Sequence, residues 1–477
     1  MKKRIMRFAA PLVFLICTTL LQNLFAEQWS TNQDNIAKTA VDTWKTETVV
    51  SLSNNLYLSS RTIATDSDGR PHIVYCKDSR LYHAYHDGTQ WQYEKVDEST
   101  FVDRGASIAV DTFNNVHISY YDTTNADLWY AVKKSGKWLT EKVDDTVLIT
   151  GSLSSIAVDK DGNPHIGYCV FDFVSKGGIR YAKKVSGKWS TEPVDGGWNS
   201  LAQSVCLGVD GDGKAHISYL DGANYDVKYA TNVTGTWEKE IVDGNGFVAL
   251  QSSIAVDKNG KAYIIYTNSS IFDIKYATNA SGSWVTEKVF GGAIATFLSI
   301  AVDGNSKSHV SYYAVGSDGG GDLVYANNTG NAWIAETVDS IGNVGLYSSI
   351  AVDASNNVHI DYYDVTQSIL KHATKTTDAV TQPTVKTGKA TKVTVGSAVL
   401  NGTANAQGAT TKVWFEYGTT IGVYKKKSIN KMVNGKINKK ISASIKKLSP
   451  GTKYYYRIAA QNKAGTSYGS EKSFSTK

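Results

Sequence analysis

The sequence has little of several residues that mark specialised protein classes. Its 477 residues include only four Cys and six Pro, and only 20% are charged. After residue 26, no stretch approaches the roughly 20 apolar residues that a membrane helix needs. Hydrophobic residues still make up 42% of the chain, which is enough to bury a large core and excludes wholesale disorder. The surplus of Tyr, Trp and Gly favours strands and turns over helices.

Residues 1–26 are typical of a secretory signal peptide. Four basic residues precede one short apolar run, and cleavage is expected near Ala26. The basic start and the short apolar core are typical of bacteria. We therefore expect a mature chain that is secreted, periplasmic or on the cell surface, with no transmembrane segment. That chain keeps Cys76, Cys169 and Cys206, an odd number that allows at most one intrachain disulfide and requires none.

One unit is repeated seven times along the chain. The phrase Ile-Ala-Val-Asp, or a close variant, recurs with its Asp 45 to 51 residues apart. A few turn residues follow, then His-Ile-x-Tyr or a variant, then a segment ending in Ala, and finally Trp-x-x-Glu-x-Val. Each segment is short, alternating and rich in β-branched or aromatic residues, so each unit is predicted to have four strands. Four strands in this length are typical of a β-propeller blade.

The Trp-x-x-Glu-x-Val strand indicates how the ring closes. Its first copy, Trp44–Val49, precedes every other element, and the seventh Ile-Ala-Val-Asp copy has no such strand after it. We predict that this N-terminal strand completes the last blade, because a closed ring has no open sheet edges. The predicted organisation is a signal peptide at 1–26, a linker at 27–42, a seven-bladed propeller at 43–376, a linker at 377–384 and a second domain at 385–477.

The second domain has a motif of its own. The run 448–462, Leu-Ser-Pro-Gly-Thr-Lys-Tyr-Tyr-Tyr-Arg-Ile-Ala-Ala-Gln-Asn, resembles the fibronectin type III signature, in which Tyr454 would form the tyrosine corner. The predicted fold class is therefore all-β: a seven-bladed β-propeller closed by an N-terminal strand and followed by a fibronectin type III-like β-sandwich. The propeller repeat resembles those of exported bacterial proteins and, at superfamily level, sialidase-like and fucose-lectin-like propellers. This likeness implies a fold and identifies no ligand.

The repeated polar positions are interpreted as scaffold. The Asp lies six residues before the His across a tight turn, so an Asp–His hydrogen bond would pin the hairpin in every blade. Equivalent positions on neighbouring blades lie too far apart to share one metal ion. The Asp-x-Asp-Gly turns resemble parts of calcium loops but lack a closing acidic residue, which leaves calcium as a minor alternative. No metal and no cofactor is predicted. The structural positions singled out are Asp111, His117, Asp159, His165, Asp210, His216, Trp138, Trp189, Trp237 and Trp284.

The distribution of Glu and Arg argues against catalysis without excluding it. Residues 27–382 contain ten Glu, of which seven occupy the repeated Trp-x-x-Glu position, and five Arg. A typical glycosidase needs two carboxylates at one focus, and sialidases need an Arg cluster for the substrate carboxylate. Because Asp could replace Glu, a glycan-active enzyme stays an alternative, beside a purely structural matrix protein. We favour a non-catalytic binding or adhesion protein.

The loops of variable length are the predicted ligand site. The loops from the second to the third strand and those from blade to blade vary in length and emerge on one face of the ring, where a rigid scaffold can position function. Aromatic faces beside Asp, Asn and Arg suit sugar rings, and they suit peptides too. Trp198, next to Gly196 and Gly197, is expected to be the most exposed. The candidate ligand-binding residues are Phe101, Asp103, Arg104, Asp172, Trp198, Asn199, Tyr225, Asp318 and Asp322.

Charge is divided between the domains. Residues 383–477 carry 17 Lys and one Arg against two Glu, a net charge of +16, and the signal peptide carries +4. Because the whole chain is only +6, residues 27–382 carry −14. Nucleic acid is an unsuitable partner for an exported chain. We expect the basic module to bind anionic envelope polymers or lipid headgroups, or the acidic propeller itself.

Overall fold

The computed structural model describes residues 44–477, apart from the segments named below. The chain divides into two compact units, Met1–Thr376 and Thr377–Lys477. Every regular element that it describes is a β-strand. No helix long and apolar enough to cross a membrane occurs in the described part of the chain. The segments inside this range that are not described are 53–60, 99–100, 103–104, 147–148, 173–175, 199–203, 222–223, 245–250, 269–272, 292–294, 317–319, 330–331, 376–381, 408–409, 434, 436 and 463.

The first unit consists of seven four-stranded antiparallel sheets. Blades 1 to 6 are β2–β5, β6–β9, β10–β13, β14–β17, β18–β21 and β22–β25, each in chain order. The strands are β1 (Lys45–Ser51), β2 (Ile63–Thr65), β3 (Pro71–Lys77), β4 (Arg80–His86), β5 (Trp91–Asp97), β6 (Ser107–Val110), β7 (Val116–Asp122), β8 (Asp127–Lys134), β9 (Lys137–Asp144), β10 (Ile149–Val158), β11 (Pro164–Asp172), β12 (Lys176–Val185), β13 (Lys188–Trp198), β14 (Val205–Val209), β15 (Ala215–Leu220), β16 (Val227–Thr231), β17 (Glu238–Asp243), β18 (Ser252–Val256), β19 (Ala262–Asn268), β20 (Asp273–Thr278), β21 (Val285–Gly291), β22 (Ala295–Val302), β23 (Ser308–Val315), β24 (Gly321–Asn327), β25 (Ile334–Asp339), β26 (Val344–Val352), β27 (Val358–Asp364) and β28 (Ile369–Lys375).

Blade 7 is completed by the N-terminal strand. Its order is β26-β27-β28-β1, and β1 pairs antiparallel with β28, with Glu47 opposite His372. The predicted fold class and the predicted closure of the ring are both confirmed. The closing strand gives blade 7 the outer strand that its own sequence lacks, so its sheet edge is paired.

A ring of small polar side chains joins the inner strands. The residue before each Ile-Ala-Val-Asp phrase carries a hydroxyl or thiol, and in four places its oxygen accepts a hydrogen bond from the backbone of the next blade. These bonds run from Ile156 N to Ser107 Oγ (3.3 Å), Leu207 N to Ser155 Oγ (3.0 Å), Ile350 N to Ser299 Oγ (3.2 Å) and, across the closure, Thr62 N to Ser349 Oγ (3.0 Å). The bonds satisfy buried N–H groups and fix the spacing of the blades.

The repeated Asp holds the turn between the first two strands of every blade. In blade 3, Asp159 Oδ1 accepts bonds from the N–H groups of Asp161 at 3.0 Å and Asn163 at 2.9 Å. The other six blades have the same pair of bonds, from the second and fourth residues after the Asp. An Asp side chain bonded to its own turn favours a tight hairpin, which explains the repeat without a metal ion.

The second unit is a β-sandwich. One sheet has the order β29-β30-β34, and the other has β31 and β35 at its centre, with β32 and β33 beside β31 and with β36 and β37 beside β35. Leu400 and Ile441 from the first sheet share a core with Phe415 and Ile458 from the second. Tyr454 is buried, and its hydroxyl accepts a 3.0 Å hydrogen bond from Ser449 N. The strands are β29 (Thr384–Thr387), β30 (Ser397–Asn405), β31 (Thr411–Gly418), β32 (Lys426–Lys427), β33 (Lys431–Val433), β34 (Lys439–Lys446), β35 (Lys453–Asn462), β36 (Gly465–Tyr468) and β37 (Lys472–Ser475).

Candidate functional site

The seams between blades are built from a repeated tyrosine and aspartate. The Tyr of the second strand donates its hydroxyl to an Asp at the end of the preceding blade's outer strand. This bond occurs in Tyr120–Asp97 (2.6 Å), Tyr168–Asp144 (2.6 Å), Tyr219–Asp195 (2.9 Å), Tyr266–Asp243 (2.8 Å) and Tyr362–Asp339 (2.7 Å). Because each Tyr is buried and its hydroxyl is paired with a carboxylate, these five seams are interpreted as scaffold.

Four of these seams also contain a cation from the third strand of the next blade. Arg180, Lys228, Lys275 and Lys371 pair with Asp144, Asp195, Asp243 and Asp339. Burial alone would raise the pKa of Asp195, but hydrogen bonds from Lys239 and Tyr219 hold it below the usual value. The carboxylate therefore stays charged and is fully occupied by its partners.

The seam between blades 7 and 1, called the closing seam here, has none of these polar partners. Val50 stands at the Asp position, and Tyr82 stands at the cation position beside Tyr75. The rings of Tyr75 and Tyr82 stack with centroids 5.5 Å apart. Neither hydroxyl has a hydrogen-bond partner within the described part of the chain. Burial raises the pKa of Tyr75 well above its usual value, so its hydroxyl stays neutral and can donate or accept.

A pocket of about 300 Å³ opens at this seam, and we call it the seam pocket. Val50 is too small to fill the space, whereas in the seam between blades 5 and 6 Phe290 packs 6.2 Å from the Tyr312 ring. The half-exposed Tyr93 closes one side, and its hydroxyl donates to Val49 O at 2.5 Å. The residues that line the seam pocket are Val50, Tyr75, Lys77, Tyr82, Tyr93, Glu94 and Lys95.

The polar groups of the seam pocket are suited to binding. Lys77 and Lys95 also line the seam pocket, where Lys77 Nζ donates to Ser51 O at 3.5 Å and Lys95 Nζ lies 3.6 Å from Glu98 Oε1. Glu94 is the acidic residue among the lining side chains, and it is held by Lys133 Nζ and His83 Nδ1, each at 2.7 Å. These contacts hold the pKa of Glu94 below its usual value although burial would raise it, so this carboxylate is a poor proton donor.

A chain of histidines lies directly behind the seam pocket. His83 Nδ1 meets Glu94, so its N–H donates there and its Nε2 is left to accept from His72 Nδ1 at 3.0 Å. A neutral His72 then has no hydrogen on Nε2, which lies 3.7 Å from Asp66 Oδ2. Burial, followed by the charge of His83, lowers the pKa of His72 to about 4, so both rings are neutral near pH 7. Blade 7 repeats this chain through His359, His372 and Glu47.

The prediction of an Asp–His hydrogen bond in every blade is wrong. The bond is present in Asp111–His117 (3.1 Å), Asp159–His165 (3.3 Å) and Asp210–His216 (3.2 Å), and Tyr263 donates to Asp257 at 3.1 Å. In these three His blades a Tyr hydroxyl bonds Nδ1, so Nε2 keeps its hydrogen for the Asp. In blades 1 and 7 a second His replaces that Tyr and reverses the tautomer. Nothing in the structure explains the 3.6 Å separation of His309 and Asp303.

The loop-face candidates that the structure describes are distributed over different blades. Phe101 is exposed in the link between blades 1 and 2, with the Arg80 guanidinium 4.4 Å above its ring. Tyr225 lies in blade 4, where its N–H donates to Asp221 Oδ1 at 3.1 Å, and Asp322 lies on β24 in blade 6. Asp103, Arg104, Asn199 and Asp318, and the side chain of Asp172, lie outside the described residues.

The expected exposure of Trp198 is wrong. Only 7% of this residue is exposed. The strand β13 continues through Gly196 and Gly197 to pair Trp198 with Gly177, so the two glycines do not start a free loop. The indole turns into the core of blades 3 and 4 and lies 6.1 Å from the Tyr219 ring.

The seam pocket lies on strands and not on the loops of variable length where the ligand site was predicted. The usable signal was a departure from the repeat: Val50 follows Trp-x-x-Glu-x-Val where five other copies have Asp.

In the central channel, Arg61 of blade 1 reaches across to donate to the carbonyl oxygens of Leu207 and Ile254. No group of three or more potential metal ligands occurs among the side chains described.

Comparison with known proteins gives distant structural matches. No protein-family model matches the chain, and no curated protein matches it. The Aleuria aurantia lectin in complex with Fucα1-6GlcNAc is 13% identical, with 61% of this chain and 97% of the lectin covered at a TM-score of 0.43. The Hadza microbial sialidase Hz136 is 11% identical, with 63% and 74% covered at a TM-score of 0.40. The sensor domain of the anti-sigma factor RsgI4 of Pseudobacteroides cellulosolvens is 24% identical over 20% of this chain and 89% of that domain, at a TM-score of 0.16.

Proposed function

We propose that this protein is an exported, non-catalytic carbohydrate-binding protein whose propeller holds a sugar in the seam pocket. The carrying observation is the pair of stacked tyrosines, Tyr75 and Tyr82, whose hydroxyls have no partner within the described residues. A sugar ring offers an apolar face to an aromatic ring and hydroxyls to polar groups. The pocket of about 300 Å³ is at the small end of ligand sites and suits a single sugar unit.

The charges of the seam pocket favour an acidic sugar. Lys77 and Lys95 line it, and the acidic partner of Lys95 is the exposed Glu98 at 3.6 Å, a weak surface pair, while the carboxylate of Glu94 is neutralised by Lys133. The same pairing disfavours glycosidase chemistry at this place, because a general acid needs a raised pKa and a second free carboxylate nearby. The basic C-terminal module is proposed as a spacer, or as an anchor to anionic polymers or lipid of the cell envelope.

A glycan array with the mature chain tests the proposal. We expect binding to acidic glycans, with affinity roughly 5-fold or more lower for Tyr82→Ala, because truncation of an important contact residue costs more than about 1 kcal/mol. Phe101→Ala is the matched control, since it removes an exposed aromatic ring outside the seam pocket. If Phe101→Ala lowered the affinity and Tyr82→Ala did not, the sugar would bind at the loop face and not in the seam pocket. Failure of the parent chain to bind any glycan would reject the function, and reducing-sugar release would reject its non-catalytic character.

A further inference from the structure

The outer edge of the C-terminal module exposes large apolar side chains. The segment 419–438 joins β31 to β34 and contains the short strands β32 and β33, which pair only with β31 among the described strands. Ile429 is 88% exposed and Ile437 is 70% exposed. Soluble proteins rarely concentrate such residues without a partner. The exposed apolar residues of this edge are Ile421, Val423, Ile429, Met432 and Ile437.

Lysines are interspersed with these apolar side chains along the sequence. Between Glu416 and Glu471 the sequence has no acidic residue. Lys427 pairs with Glu416 at 3.3 Å, and the other lysines of the edge have no ion pair with described residues. We call the five apolar residues and their lysines the Lys/Ile edge. Its exposed lysines are Lys425, Lys426, Lys427, Lys431, Lys439 and Lys440.

We propose that the Lys/Ile edge docks onto an anionic lipid bilayer. This inference rests on the proposed role of the C-terminal module as an anchor, and it specifies a lipid surface as the partner. Lysines attract anionic headgroups with about 1 kcal/mol each near the surface, and apolar side chains then enter the boundary between headgroups and acyl chains. A charged polymer would need the lysines but would leave the isoleucines in water. Edge protection against aggregation is also achieved by lysines alone.

The opposite edge of the same module supplies the contrast. Lys386, Lys389 and Lys392 on and after β29 are exposed, and one exposed apolar residue, Val395, follows them. This edge has three exposed lysines, as many as the run 425–427, with a single exposed aliphatic side chain among its described residues. This edge therefore provides a matched control for the charge of the lysines and another for the insertion of apolar side chains.

Sedimentation of the mature chain with vesicles tests the inference. We expect binding to phosphatidylcholine vesicles that contain phosphatidylglycerol, weaker binding at high salt, and little binding to pure phosphatidylcholine. The triple variant K425Q/K426Q/K427Q should reduce partitioning by ~10-fold or more, and Ile429→Ser with Ile437→Ser should reduce it several-fold. The controls K386Q/K389Q/K392Q and Val395→Ser should change partitioning less than about 2-fold.

The outcomes separate lipid docking from general anchoring. If the Ile variants bind vesicles as the parent does, insertion is wrong and charge alone holds the module. If the chain ignores vesicles but is retained on dextran sulfate, the lipid inference fails while the anchor role survives. If neither surface retains it, both fail, and the glycan array still tests the propeller separately. Unchanged melting temperatures of the variants would exclude unfolding as the cause.

Discussion

Two seams of the same ring show how a repeat separates scaffold from site. Between blades 2 and 3, Asp144 accepts from Tyr168 at 2.6 Å and lies 3.4 Å from Arg180 Nε, so the carboxylate is paired with both a hydroxyl and a cation. In the closing seam, Val50 and Tyr82 replace the Asp and the cation, and the hydroxyls of Tyr75 and Tyr82 have no partner among the described residues. Polar groups that the fold does not use are available for binding.

The largest effect is expected from breaking the ordinary seam. Asp144→Ala should lower the free energy of unfolding by roughly 2–4 kcal/mol, because it leaves the buried Tyr168 hydroxyl unpaired and Arg180 without its counter-charge. Val50→Ala, at the same position of the closing seam, should cost only about 1 kcal/mol, since it removes two methyl groups from a half-buried side chain. Urea denaturation measures both. Equal losses would contradict the distinction between the two seams.

The histidine pairs extend the comparison to pH. Burial, followed by the charge of the partner ring, lowers the pKa of His72 and His359 to about 4. A group with a lowered folded pKa binds more protons when unfolded, so stability is lost as the pH falls from about 6.5 to about 4, by up to about 1.4 kcal/mol per pH unit for each group. Replacing His83 and His372 by Tyr would give blades 1 and 7 the His–Tyr pair of the other blades.

The double variant His83→Tyr/His372→Tyr should therefore lose less stability than the parent between pH 6.5 and pH 4. Burial raises the pKa of Asp361 to about 8, which acts in the opposite direction, so the difference between variant and parent is the quantity to measure. Tyr181→Phe is the control: it should lower stability by about 1 kcal/mol without changing the slope, because no histidine is removed. If the stability of parent and double variant fell in parallel between pH 6.5 and pH 4, the loss would not come from the paired histidines.

The fold could be predicted because each blade repeats the same local rules. Seven copies of one strand pattern and one surplus Trp-x-x-Glu-x-Val strand determine both the number of blades and the closure by β1. The role of Asp159 could be predicted only in part. Its bond to His165 follows from spacing, but the two bonds to its own turn depend on backbone geometry that spacing does not show.

The site could not be predicted from residue types at loops. The seam pocket forms between β1 and blade 1, whose residues are brought together only by ring closure. Trp198 failed as a candidate because the length of β13, and hence the direction of its side chain, depends on pairing with Gly177. Comparing the copies for departures at one position would have identified Val50, because a repeat predicts what should stand there.

The smallest expected effect concerns Trp138, whose indole does not bond Glu94 because His83 occupies that carboxylate. Trp189 Nε1 donates to Glu141 Oε1 at 2.9 Å, whereas Trp138 Nε1 is buried without a partner in the described structure because Glu94 is bound by His83. Trp189→Phe should therefore lower the free energy of unfolding by about 1 kcal/mol more than Trp138→Phe in urea denaturation.

In a His83→Tyr background Glu94 is released from His83 and Trp138 can donate to it, so Trp138→Phe should become more costly by about the same amount. A double-mutant cycle measures this coupling between positions 83 and 138. Zero coupling would show that Glu94 does not select between the two donors, and the tautomer argument for blade 1 would lose its support.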